Sequence, residues 1–338
     1  MATQVSTRFN QAYGIDYPIA AAGMAFAGMV PEFTIAASQA GIMGSFAGVG
    51  LMPPPVLANM LEGVRQGTSK PFHVNFITIY TEDAHIELCA ALKVAAVSFH
   101  WGSPKPHWIS LLHAAGVKVW EQVGSVGAAR RAVDAGIDCV VAQGSEAGGH
   151  NYGELPTFVL VPAVRDAIGD TLLLASGGIA DGRGLAAALA LGADGAWIGT
   201  RLIATEEANI HQQYKDRLVR AQGSDTVRTR IFGKHHPDFN PIRVLRNRVV
   251  EQWHARESEV PADNSQQPIV GSMDMFGVRT DLRKFTNLVP TPTTDGDFEE
   301  LPLLSGQGVG LIRSIEPMRV VIEKMVADAS KILSTRYR

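Results

Sequence analysis

The residues best suited to chemistry in this chain are concentrated in Gln143-Gly144-Ser145-Glu146-Ala147-Gly148-Gly149-His150. Small residues let such a loop lie flat over a planar ligand, and they deliver an imidazole at its end. Imidazole titrates near neutrality, so His150 can act as general base, general acid or anchor for an anion. Two further segments, Ala175-Ser176-Gly177-Gly178-Ile179 and Gly199-Thr200-Arg201, end apolar runs in glycine. Glycines there let backbone N–H groups approach an anion closely, and a following helix adds a favourable dipole. The pair, with Arg201 adjacent, points to a phosphate. Few other charged side chains stand nearby, so a phosphate-bearing cofactor fits better than a phosphorylated metabolite. His100 also closes an apolar run, and either faces the ligand or packs beneath Trp101. His211, His235, His236 and His254 read as structural or surface residues.

These segments need elements to position them. Up to residue 222, short apolar runs alternate with Ala- and Leu-rich stretches of helical spacing. The runs are Tyr17–Ala22, Gly41–Ala47, Pro71–Phe76, Val94–His100, Lys118–Val123, Cys139–Gly144, Thr171–Gly177 and Gly195–Thr200. Helix candidates between them include Pro31–Ala40, Pro54–Arg65, Lys105–Ala115, Val126–Ala135, Phe158–Ile168 and Arg183–Leu191. Several close on glycine, as in Ala115-Gly116, Ala135-Gly136 and Leu191-Gly192, where a left-handed turn can lead into the next strand. Eight strand–helix units predict an α/β fold, a (β/α)8 TIM barrel, with the site at the C-terminal strand ends. A doubly wound sheet would carry a GxGxxG turn after its first strand. Here Ala22-Gly23-Met24-Ala25-Phe26-Ala27-Gly28 stands instead.

The expected organisation is a barrel over residues 1–222, a smaller substrate-side subdomain or lid over 223–304, and a C-terminal helix over 305–338 that packs back on the barrel. Within 223–304, the spacing of Val244, Leu245, Val249 and Trp253 predicts a helix over Ile242–Glu259. Gly306–Ile332 returns to apolar helical periodicity.

Composition narrows the class. The chain has 338 residues, 46% hydrophobic and 19% charged, with 30 Lys+Arg against 33 Asp+Glu. That balance and the lack of a basic run argue against nucleic acid or an anionic membrane as partner. Cys89 and Cys139 are too few for a disulfide framework. They suit a reducing cytosol, and the N-terminal sequence lacks a secretory pattern. No His/Asp/Glu cluster has metal-ligand spacing, so no metal is expected.

QGSEAGGH (143–150), SFHWG (98–102), ASGGIADGRG (175–184), Gly199-Thr200-Arg201 and Gly306-Gln307-Gly308 together resemble the nitronate monooxygenases, flavin enzymes of barrel fold. The resemblance spans nearly the whole chain in order, apart from 223–300. It implies FMN held by backbone at Gly23 and Met24, by the amides of Asn75, Gln122 and Gln143, and by Gly144 and Gly149. It also implies phosphate contacts at Ser176, Gly177, Gly178, Gly199 and Thr200, with His150 as the catalytic base or anion anchor. The implied reaction oxidises alkyl nitronates with O2 to a carbonyl compound and nitrite in the cytoplasm, with a homodimer admissible. SGG and GTR are shared with other FMN barrels, so an NAD(P)H-dependent quinone or enoyl-thioester reductase is the alternative.

Overall fold

The computed structural model describes residues 5–151, 153–234 and 241–335. Eight buried strands form the barrel: β1 (Ile19–Ala21), β2 (Gly44–Val49), β3 (Phe72–Ile77), β4 (Ala96–His100), β5 (Lys118–Val123), β6 (Cys139–Gln143), β7 (Leu172–Ser176) and β8 (Gly195–Ile198). Each falls on one of the eight apolar runs. The pairing is parallel from β2 through β8, and β8 returns to β1 with Ile19 beside Ala196. A parallel bridge between Ala20 and Met43 closes the ring. The expected (β/α)8 barrel is therefore the fold. Near-continuous apolar strands follow from burial on both faces, by the barrel interior and by the outer helices.

Helix boundaries follow local chemistry. Asp181 caps Gly182–Ala190 by accepting from the N–H groups of Arg183 and Gly184, at 2.9 and 3.2 Å. Gly116, Gly136 and Gly192 take φ of 79°, 92° and 95°, and each sends the chain from a helix into the next strand.

The N-terminal end of the barrel is plugged. Helix Arg8–Tyr13 lays Phe9 against Trp120, with ring centroids 5.6 Å apart, and Trp120 Nε1 donates to Tyr13 Oη at 2.6 Å. The open end is thus the C-terminal one.

Beyond the barrel, the sequence expectation needs two corrections. Ile242–Glu259 is not one helix. Ile242–Leu245 is a strand, pairing antiparallel with Thr226–Thr229 and with the short strand Gly149–His150. Ile242 and Val244 are buried on one face and Arg243 lies on the other, a period of two hidden inside the longer apolar pattern. Asn247 then starts a new helix, Arg248–Trp253, by accepting from Val250 N. Similarly, the C-terminal helix covers Met318–Thr335, preceded by a 3-10 turn over Gln307–Leu311. This helix packs on Gly182–Ala190, where a side chain at Gly182 would come within 2.5 Å of Met325 O. A hairpin, Ile269–Met275 with Val278–Arg283, turns at Phe276-Gly277, both at positive φ. His235 and His236 lie outside the described residues. No helix among the described residues is long and apolar enough to cross a membrane.

Candidate active site

A cavity of about 610 Å³ opens at the C-terminal end of the barrel. It is lined by Gly23, Met24, Asn75, Gln122, Gln143, Gly149, His150, Ser176, Gly177, Gly178, Gly199 and Thr200, among others. The expected site residues therefore converge on one space, with two exceptions, Gly144 and Arg201. Gly144 does not line it. A side chain there would collide with Thr157 Oγ1 and its backbone N, so this glycine serves close packing beneath the loop.

Gly23 follows β1 and presses on Asn75 of β3, where any side chain would overlap the Asn75 amide. Gln143, ending β6, donates from Nε2 to the His150 carbonyl at 3.1 Å. Loop 144–150 is held from several directions. Asn151, fully buried, donates from Nδ2 to the carbonyls of Gly144 and Ala147, at 3.0 and 3.2 Å. Arg243 donates from Nε and Nη2 to Ser145 O at 3.1 and 2.9 Å. Glu146 accepts from Thr157 N and Oγ1 at 2.8 and 3.0 Å, tying the loop to helix Thr157–Ile168. These contacts make the loop a rigid carrier for His150.

Gly177 and Gly178, after β7, take φ of 110° and 74°. A Cβ on Gly178 would have nothing closer than Glu146 Cβ at 3.7 Å, so the space over its backbone is open. After β8, Thr200 Oγ1 accepts from Gly306 N at 3.0 Å. Gly306 and Gly308 also line the cavity, and Gly308 packs so closely on Gly178 that a side chain would stand 3.0 Å from its carbonyl. Backbone N–H groups and hydroxyls thus form the polar wall, a donor set suited to a phosphate. Arg201 takes no part. It is buried, with Nη2 donating to the carbonyls of Ala204 and Ser314 at 2.5 and 2.8 Å, and it does not line the cavity. Arg201 therefore does not give the expected phosphate support, because its side chain turns into the fold.

Among the described residues lining the cavity, none is Asp, Glu, Lys or Arg. Its titratable members are Tyr80, His100, His150 and Tyr214. Burial pushes the Tyr80 phenol up to about 12 and raises Tyr214 further. His100 lines the cavity rather than only packing beneath Trp101. Its pKa falls to about 3, chiefly through burial and then through the nearby His150. The lining also carries apolar side chains: Phe26, Met29, Leu51, Met275, Phe276 and Leu288. Met275 and Phe276 come from the tip of the hairpin, a contribution invisible in the sequence because the hairpin alternates polar and apolar residues without a marked motif. Asn151 likewise carries no sequence signal, since nothing in a lone Asn announces a loop staple.

The glycine cradle at 177–178, the hydroxyls at 176 and 200, and the amides at 75, 122 and 143 fit a flavin phosphate and ring.

Residues 78–328 match the family model described as nitronate monooxygenase. A Rhodococcus jostii protein, (3aS,4S,5R,7aS)-5-hydroxy-7a-methyl-1-oxo-octahydro-1H-indene-4-carboxyl-CoA dehydrogenase, is 30% identical over 345 residues, 96% of each chain. FabK from Thermotoga maritima superposes with a TM-score of 0.80 at 34% identity, covering 98% of each chain. Nitroalkane oxidase from Streptomyces ansochromogenes gives a TM-score of 0.77 at 25% identity, over 97% of this chain and 99% of that one. A Mycobacterium tuberculosis relative, 42% identical over 177 residues, is matched across only 45% of its own length. An eight-stranded barrel with an imidazole-bearing loop at its mouth, matched in this way, places the chain among the oxidoreductases of the nitronate monooxygenase family.

Proposed function

We propose that this enzyme uses FMN and O2 to oxidise alkyl nitronates, and the nitroalkanes from which they form, to carbonyl compounds and nitrite. One observation carries the reading. His150 lines the cavity at the end of the 143–150 loop, its ring set edge-on to Trp101, where it can take a proton from the substrate or balance an anionic one. Bound flavin would supply the redox chemistry, accepting electrons from the substrate and passing them to O2. Ser176, Gly177, Gly178, Gly199 and Thr200 would hold its phosphate. Asn75, Gln122 and Gln143, with Gly23, Met24 and Gly149, would hold and orient its ring. FMN is favoured over FAD because the described cavity carries one such anion-binding wall and the sequence after β1 has no dinucleotide fingerprint. Residues 223–304 would shape the substrate side, through Met275, Phe276 and Leu288.

The test is aerobic turnover of a preformed alkyl nitronate. Stoichiometric nitrite and carbonyl product, with O2 consumed and no pyridine nucleotide added, supports the proposal. No nitrite would contradict it.

The apolar lining favours a second reading, an NAD(P)H-dependent reductase of a longer acyl or quinone substrate. The likeness to FabK and to the CoA dehydrogenase adds to it. NAD(P)H oxidation that depends on such an acceptor would support this reading instead.

A further inference from the structure

The floor of the cavity contains a directed chain of hydrogen bonds that begins at a backbone carbonyl and ends at Asn75. His73, on β3, is fully buried, its ring set between Trp120 and Trp197 at centroid distances of 5.0 and 4.9 Å. Its Nε2 lies 3.0 Å from Ala21 O. A carbonyl only accepts, so Nε2 carries the proton. Burial pulls the His73 pKa down to about 4, so the ring is neutral and Nδ1 is a bare acceptor. Ser98 Oγ, 3.0 Å from Nδ1, must therefore donate to it. With its proton committed, that hydroxyl can only accept from its other neighbour, Asn75, at 2.8 Å. Asn75 must turn Nδ2 toward Ser98, where the Ser98 carbonyl at 3.4 Å is a second acceptor. Its Oδ1 is left against Gly23, and no described residue donates to it. The orientation of this amide is thus dictated three links away, at Ala21, two residues before Gly23.

We propose that His73 and Ser98 are positioning residues that lock Asn75 as a hydrogen-bond acceptor for an N–H group of the bound cofactor. The inference rests on reading the cavity as a flavin site. Oxidised isoalloxazine carries one ring N–H, at N3, flanked by two carbonyls, so an acceptor fixed at Asn75 selects that group. A freely turning amide would not discriminate, because it could offer its NH2 to a carbonyl instead.

The experiment titrates the FMN-stripped full-length protein with FMN and with N3-methyl-FMN, following flavin fluorescence. Wild type should bind N3-methyl-FMN at least about 10-fold more weakly than FMN. Ser98→Ala should weaken FMN binding roughly 5- to 10-fold, the worth of one oriented hydrogen bond. Because Ser98 acts through Asn75, the same change made in an Asn75→Ala background should have no further effect. Ser98→Thr, which keeps the hydroxyl, should restore FMN binding to near the wild-type value. Equal binding of the two flavins by wild type would overturn the acceptor assignment without recourse to any variant. Equal weakening by Ser98→Ala in both backgrounds would overturn the relay, marking Ser98 as packing only. Wild-type protein that takes up neither flavin would overturn the flavin reading and the relay with it.

Discussion

The imidazole of His150 stands edge-on to the indole of Trp101, with ring centroids 4.5 Å apart and an interplanar angle of 78°. Trp101 reaches that position through a left-handed backbone, φ 63°, which costs a bulky residue on the order of 1 kcal/mol. Gly102 follows at φ 99°. Thr78 Oγ1 ties the turn by donating to the carbonyls of His100 and Gly102, at 3.0 and 2.8 Å. A strained and clamped turn after β4 thus supplies a flat wall against which the His150 ring is set.

His150→Asn should keep the fold and the bound flavin. Removing a general base typically costs about 10² to 10⁴ in rate, so turnover of a neutral nitroalkane should fall by that order. A preformed nitronate has already lost its proton and should suffer much less. Steady-state kinetics on the two substrates check this, and equal small losses would assign His150 a structural role.

Gly178→Asp should lower FMN affinity by about 30-fold or more, since a carboxylate would face the phosphate across a wall built of backbone donors. Gly178→Ala carries the same strain at φ 74° without the charge, and should cost only about 3-fold. Equilibrium dialysis with FMN separates the two. Equal losses would mean that strain alone, and not charge, governs the site.

The eight strands were legible because each is a short apolar run punctuated by glycine or a polar residue, and because glycines such as Gly116 and Gly136 mark the helix ends. The convergence of Asn75, Gln143, His150 and Gly178 followed from the barrel rule that strand ends share one mouth. Side-chain direction was not legible. Arg201 is next to Thr200 in sequence, yet its guanidinium satisfies the carbonyls of Ala204 and Ser314 inside the fold. Long-range partners were hidden for the same reason. Strand Ile242–Leu245 exists because Gly149–His150 and Thr226–Thr229 flank it, and nothing within its own four residues announces that pairing.

Stability should fall on mild acidification. His73 and His100 have folded pKa values lowered to about 4 and about 3, against an unfolded value of about 6.5. Between those limits the unfolded chain binds more protons, so stability rises with pH there and is lost as pH drops below about 6.5. For His73 alone the loss from pH 7.5 to 5 is about 2 kcal/mol. Carboxylates titrate lower in the unfolded chain, which leaves this interval mainly to the histidines. Urea unfolding of the flavin-free protein at the two pH values measures it, and equal midpoints would contradict buried neutral imidazoles.

The central claim is that this cavity holds FMN and takes its electrons from a nitronate. An anaerobic titration followed by visible absorption tests both halves at once. The purified protein should be yellow, should release FMN on denaturation, and should bleach on addition of an alkyl nitronate while NADH and NADPH leave its spectrum nearly unchanged. Rapid bleaching by NADH or NADPH with no response to nitronate would contradict the account and establish a reductase.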